Sequence, residues 1–281
     1  MAIRTILLDI DGTLTNSKKK ITKKTRHALI QAQKHGIMLV LASGRPEKGL
    51  ERFAKELEMD LYGGLLCCYN GARIVDQKSK EVLFDQALTV EEGKAVLSHL
   101  KNFSVVPMVA KGDYMYVPNV FNNTIIYKGK PFGVMEYEAR GNGFLLAEAA
   151  DMEDFCDFPI HKILTFGEPE YLKANFEAMR APFKGKVNSM FTADFYYEYT
   201  AMGIDKAKAL ATAFERLGIE RDEIMAFGDA ENDITMLMYA GIGVAMGNAS
   251  QACKEAADEV TASNDEDGIY ESLLKHMPEI F

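Results

Sequence analysis

The sequence predicts an α/β protein: a Rossmann-like, doubly wound parallel sheet with a smaller α+β domain inserted into it. Three observations carry this. The first 57 residues alternate strand, helix, strand, helix; the last third repeats that order; and the middle changes to shorter strands of alternating polarity.

Thr5 to Ile10 is almost wholly apolar, as a strand buried on both faces must be, and it runs straight into acidic residues. A helix is predicted from Thr22, a candidate N-cap, to His35, with Gly36 as its stop. Ile37 to Ala42 reads as a second strand. Ser43-Gly44-Arg45-Pro46 is a turn with Pro at the first helical position, and Glu47 to Leu57 is the next helix. In the last third, helices over Lys206–Leu217, Ile234–Ala240 and from Ser250 alternate with strands Ile224–Gly228, Gly243–Met246 and Glu259–Thr261. Between them, strands at Val105–Val109, Tyr114–Val117, Thr124–Tyr127 and Lys162–Phe166 mix with helices at Glu91–Lys101 and Pro169–Met179, which suggests a mainly antiparallel sheet. The expected division is residues 1–82 and 191–281 for the sheet domain and 83–190 for the insert.

With 281 residues, 48% of them apolar and 26% charged, the chain is long enough for two domains and is neither disordered nor fibrous in composition. The net charge of −9 opposes nucleic-acid binding, and no apolar run reaches the length that spans a bilayer. A cytoplasmic protein, acting without nucleic acid or membrane as partner, is expected. Cys67, Cys68, Cys156 and Cys253 have no CxxC spacing and read as reduced core thiols, and the five scattered histidines lack zinc-site spacing.

Two acidic strand tips stand out. Asp9-Ile10-Asp11-Gly12-Thr13 ends the first strand, where open α/β sheets bind their ligands, and Asp9 interrupts a segment that would otherwise be buried. Asp-Gly is also a common turn pair, so Asp9 and Asp11 could simply cap a turn. Gly228-Asp229-Ala230-Glu231-Asn232-Asp233 ends another strand; Glu231 reads as solvated, and Asn232 or Asp233 could cap the following helix. Two acidic tips in one sheet repel unless a cation lies between them, and a hard oxygen set of this kind suits Mg²⁺. Ser43 lies at a third strand tip, where a hydroxyl and backbone N–H groups can hold an anion, though a lone turn Ser is commonplace. Lys206 opens a helix, where the helix dipole disfavours a cation and calls for an anion nearby. A phosphoryl group beside Mg²⁺ would account for all four segments.

These four segments resemble, in order, the four motifs of the haloacid dehalogenase (HAD) superfamily. The insert's position, Asn70-Gly71-Ala72 before it, and Asn264-Asp265-Glu266-Asp267-Gly268 in the tail are similar to the Cof-type phosphatase subfamily with a C2B cap. Ala207 departs from the Gly that many relatives carry after the lysine. The resemblance implies a HAD-like catalytic core with the insert as a cap that sets substrate specificity. It implies that Asp9 is the nucleophile, becoming an aspartyl-phosphate, and that Asp11 is the acid and base, changing protonation state near neutral pH. It further implies that Mg²⁺ is held by Asp9, Asp229, Asp233 and the Asp11 backbone carbonyl, that Ser43 and Lys206 bind phosphoryl oxygens, and that Thr13 orients Asp9 beside the substrate.

The cap side is more open. Asn70 is either a substrate-side residue or a plain Asn-Gly turn. Phe195, Tyr196, Tyr197 and Tyr199 are expected to pack at a domain junction, and Lys128, Lys130, Arg140 and Lys162 either meet a second anionic group or are solvated surface charges. The expected activity is Mg²⁺-dependent hydrolysis of small phosphomonoesters, sugar phosphates first and pyridoxal phosphate or flavin mononucleotide next, by a monomer or weak homodimer. A sugar phosphomutase and a non-catalytic phosphometabolite-binding regulator are the alternatives.

Overall fold

The computed structural model describes residues 2–281, which divide into two compact units, residues 2–85 with 205–281 and residues 86–204. In chain order the strands are β1 (Thr5–Leu8), β2 (Met38–Ala42), β3 (Leu65–Cys68), β4 (Arg73–Asp76), β5 (Val82–Asp85), β6 (Val106–Lys111), β7 (Tyr114–Val117), β8 (Thr124–Tyr127), β9 (Lys130–Gly133), β10 (Leu145–Glu148), β11 (Ile163–Phe166), β12 (Val187–Ala193), β13 (Tyr196–Ala201), β14 (Ile224–Gly228), β15 (Ile242–Ala245) and β16 (Glu259–Val260).

The first unit is the doubly wound sheet the sequence predicts, in the order β16-β15-β14-β1-β2-β3-β4-β5. It is parallel from β16 to β3, and β4 and β5 run antiparallel at one edge. Alternate side chains of the central strands enter opposite layers, which is why those strands are apolar throughout. Ile6 and Leu8 pack with Leu29, Leu50, Phe53 and Leu273 on one face. Leu7 and Val40 pack with Leu210, Phe214 and Leu237 on the other. Helix Lys23–Lys34 is capped by the Thr22 hydroxyl, which accepts from the Thr25 N–H; Pro46 is the N-cap of helix Glu47–Glu56, one position earlier than expected. All four cysteines are buried and free, and burial pushes the Cys67 thiol up to about 12 and Cys156 to about 11, as inert core thiols require.

The second unit holds a six-stranded sheet in the order β10-β7-β6-β11-β13-β12, antiparallel except where β10 joins β7, and the separate hairpin β8-β9. Its extent corrects the expected boundaries at both ends. Val82–Asp85 is an edge strand of the first sheet, bonded to β4, and residues 191–204 belong to the insert because β13 lies between β11 and β12. The aromatic run is therefore not junction packing. Tyr197 and Tyr199 enter the core under helices Val90–Leu100 and Pro169–Arg180, and Phe195 and Tyr196 enter the core on the opposite face. No helix of the described residues is long and apolar enough to cross a membrane.

Candidate active site

The chain leaves β1 toward β2 on one side and returns as β14 on the other, so the sheet order reverses between β1 and β14. A crevice opens beyond the carboxyl ends of strands at such a reversal. Leu8 is in register with Phe227, and the Asp9 N–H donates to the Phe227 carbonyl at 3.1 Å, which brings the two acidic tips side by side.

Lys206 joins them. Its ammonium donates to Asp9 Oδ1 at 2.8 Å, to Asp233 Oδ1 at 2.6 Å and to the Ala42 carbonyl at 3.0 Å, and its side chain is fully buried. Burial would lower the Lys206 pKa, but the charges of Asp9 and Asp233 outweigh it and raise the pKa, keeping the ammonium charged. The anion that a lysine at a helix start calls for is thus supplied first by the protein's own carboxylates. Asp205, whose side chain accepts from the Lys208 N–H at 2.9 Å, caps this helix and sets where Lys206 begins it.

Asp233 is wholly buried, and its second oxygen accepts the backbone N–H groups of Asp229 and Ala230 at 3.0 and 3.1 Å. Asp9 is 6% exposed, and its Oδ2 has no hydrogen bond among the described residues. Burial, followed by the Asp233 charge, drives the Asp9 pKa well above the ordinary carboxylate value, with Lys206 opposing. Asp229 is pushed up to about 6, chiefly by burial. The Thr13 hydroxyl donates to Asp229 Oδ1 at 2.8 Å, so Thr13 orients Asp229 and not Asp9.

One oxygen from each of Asp9, Asp229 and Asp233 lies within 4.8 Å of the others. Three crowded carboxylates beside one ammonium leave net negative charge in a buried place, and an all-oxygen donor set matches a hard divalent cation. The residues fit Mg²⁺. Gly12 lets the tips approach this closely: it has φ +91°, and a Cβ there would lie 2.3 Å from Asp229 Oδ2. Gly12→Ala is expected to cost about 1–3 kcal/mol through backbone strain and displacement of Asp229, measured by urea unfolding against wild type.

Asp11 points elsewhere. It accepts Arg45 Nε at 2.8 Å and Arg45 Nη2 at 3.0 Å as a fork, and Lys19 Nζ at 2.9 Å. Burial would raise its pKa, but Arg45 and Lys19 bring it down to about 2, so the side chain is held as an anion instead of being poised near neutrality. Sequence reasoning gave neither cation a role. Arg45 stood in a turn noted only for its shape, and Lys19 is the middle of a lysine run with no periodicity.

Ser43, 4% exposed, accepts the Arg45 N–H on its hydroxyl at 3.3 Å. Asn70 is neither a two-residue hairpin turn nor detached from the cluster. Its N–H donates to the Ser43 carbonyl at 2.9 Å, and its Oδ1 accepts Asn232 Nδ2 at 3.0 Å. Tyr69, Asn70 and Gly71 have φ of +52°, +59° and +100°, a run of left-handed residues that is uncommon and strained for a side chain such as Tyr. A Cβ on Gly71 would lie 2.6 Å from the Asp205 carbonyl, so this turn packs directly on the entry to the Lys206 helix. Every site residue expected from the sequence therefore lies in the first unit, in two bonded groups: Lys206 with Asp9, Asp233, Asp229 and Thr13, and Asp11 with Arg45 and Ser43, to which Lys19, Asn70 and Asn232 are joined.

A family model for haloacid dehalogenase-like hydrolases matches residues 6–273. The chain is 30% identical over 274 residues to the 5-amino-6-(5-phospho-D-ribitylamino)uracil phosphatase YcsE of Bacillus subtilis, covering 96% of this chain and 94% of the relative. The crystal structure of a haloacid dehalogenase-like hydrolase from Bacteroides thetaiotaomicron superposes with a TM-score of 0.90 at 35% identity, over 97% of this chain and 99% of the other. A sugar phosphatase of HAD subclass IIB, BT4131, superposes with a TM-score of 0.75 at 28% identity, over 99% and 100%. With the acidic tips, the buried lysine and the inserted α+β unit already in place, these likenesses make the chain a member of the haloacid dehalogenase-like hydrolase family, a phosphatase of the Cof type.

Proposed function

We propose that this phosphatase hydrolyses small-molecule phosphomonoesters, sugar phosphates first, through an aspartyl-phosphate on Asp9, with Mg²⁺ as cofactor. The observation that carries this reading is the buried Lys206 ammonium bound to Asp9 and Asp233, with Asp229 beside them. Asp9, Asp229, Asp233 and the Asp11 backbone carbonyl would hold the ion, which supplies positive charge to the phosphoryl oxygens. A sugar phosphatase of subclass IIB among the structural relatives supports the substrate class.

Asp9 is fixed by Lys206 through Oδ1 alone, which leaves Oδ2 to attack phosphorus in line as the P–O bond to the leaving alcohol breaks. Lys206 and the Ser43 hydroxyl then offset charge spread over the equatorial oxygens. The leaving oxygen takes a proton from the Asp11 carboxyl, and in the second step Asp11 takes a proton from the water that splits the Asp9–phosphorus bond. The first of these transfers needs Asp11 protonated, so Arg45 and Lys19 have to turn from Asp11 to the incoming phosphate dianion, a stronger partner for both. Selection among leaving groups is assigned to the inserted unit, residues 86–204.

The test is turnover of p-nitrophenyl phosphate and a panel of phosphorylated metabolites, with wild type and Asp11→Asn assayed side by side. Hydrolysis should stop with EDTA and return with Mg²⁺, and the variant should lose most on poor leaving groups, where acid assistance counts. Metal-independent hydrolysis would overturn the reading, and label passed from Asp9 to another hydroxyl of the product would make the enzyme a mutase.

A further inference from the structure

The tail segment Asn264-Asp265-Glu266-Asp267-Gly268 and the loop after β15 have no part in the chemistry above, yet both are bonded to the turn that follows Asp9. Asn248 Nδ2 donates to the Gly12 carbonyl at 2.8 Å, and its Oδ1 accepts the Asn264 N–H at 2.9 Å. Because a backbone N–H can only donate, that second bond fixes which end of the amide faces Gly12. Two positions on, the Ser250 N–H donates to the Asp229 carbonyl at 2.9 Å. One short loop thus grips both acidic tips. The tail adds two more holds on the same turn: Asn264 Nδ2 donates to the Thr15 carbonyl at 2.8 Å, and Asp265 Oδ1 accepts the Ser17 N–H at 2.9 Å. The tail itself is locked by a close approach, since a Cβ on Gly268 would lie 2.0 Å from the Ala262 carbonyl.

We propose that Asn248, oriented by the Asn264 backbone and supported by the Asn264 and Asp265 side chains, is a positioning residue that clamps the Gly12 turn against Asp229. Asn248 is exposed, so nothing about core packing requires an amide with both ends committed to backbone partners. Gly12 lies between Asp11, whose carbonyl is assigned to the metal, and Thr13, whose hydroxyl orients Asp229. A small rotation at Gly12 therefore disturbs both. The proposal rests on the phosphatase reading for its effect on turnover, but the clamp can be tested without it.

Asn248→Ala is expected to leave the unfolding midpoint unchanged and to speed hydrogen exchange at the Leu14 and Thr15 amides, which close the turn onto Asp9 and Ile10, by about tenfold. It should lower kcat about 10- to 100-fold and raise the Mg²⁺ activation constant, with KM for p-nitrophenyl phosphate within about threefold of wild type. Asn248→Asp keeps the size and the acceptor for Asn264 but loses the donor, and it should be as impaired as Asn248→Ala. Unchanged exchange at Leu14 and Thr15, or full activity in Asn248→Asp, overturns the clamp. Should wild type hydrolyse no phosphate ester at all, the phosphatase reading fails and the exchange measurement still decides for or against the clamp.

Discussion

Lys206→Ala is expected to lower the unfolding free energy by about 3–5 kcal/mol at pH 7, because it strands two buried carboxylates that one ammonium now satisfies. The side chain is wholly enclosed, with bonds of 2.8 Å to Asp9 and 2.6 Å to Asp233. The sign of the pH dependence follows from Asp9. Its pKa already lies above the ordinary value in the folded state, through burial and the Asp233 charge, and removing Lys206 takes away the main opposing charge. A group with a raised folded pKa favours folding in its protonated form, below the unfolded pKa, and loses that contribution as pH rises through the folded value. The deficit of the variant should therefore shrink toward acid and grow toward neutrality. Urea unfolding of both proteins across pH 4–8 would measure this. A loss under about 1 kcal/mol at pH 7, the scale of an exposed pair, would show that Lys206 does not carry the charge balance of the cluster.

Asp9→Asn should have the opposite profile: no loss of stability and almost no turnover. The amide keeps the shape and an acceptor for Lys206, while one of three crowded negative charges disappears, so the variant should be as stable as wild type or more so. Without a carboxylate there is no atom on which the phosphoryl group can reside, and kcat should fall by about 10⁶-fold, the scale seen when a nucleophile is removed. Rapid acid quench after mixing with labelled substrate should trap phosphoprotein in wild type and none in the variant. Turnover within tenfold of wild type would rule out covalent chemistry at this residue.

The tips at Asp9 and Asp229 could be read from the sequence because Asp9 breaks an apolar run with a carboxylate, an expensive substitution that needs a reason, and Asp229 follows directly on the end of another such run. The sheet was legible for the same cause: strands buried on both faces leave continuous apolar runs. The far ends of the insert were not. β13 is buried along its whole length and reads like a core strand of either unit, and only its pairing with β11 and β12 assigns it. β5, half-exposed at a sheet edge, has too little pattern to place. Within the site, the role of Asn70 in joining Ser43 to Asn232 depends on a run of left-handed residues that no periodicity announces. Arg45 and Lys19 escaped because a surface cation and one that clasps a carboxylate look alike until the chain is folded.

The reversal of strand order at β1 bears on how the molecule is made. Arg4 and Glu223, which flank the pairing of β1 with β14, are 219 residues apart, and every strand of the insert lies between them. During synthesis the insert is complete while β1 still lacks one neighbour and Asp9 lacks both of its acidic companions. Nascent chains paused before residue 224 hold an unsealed first layer whose apolar edge invites chaperones or misassociation, so slow or truncated translation should harm this protein more than its finished stability suggests.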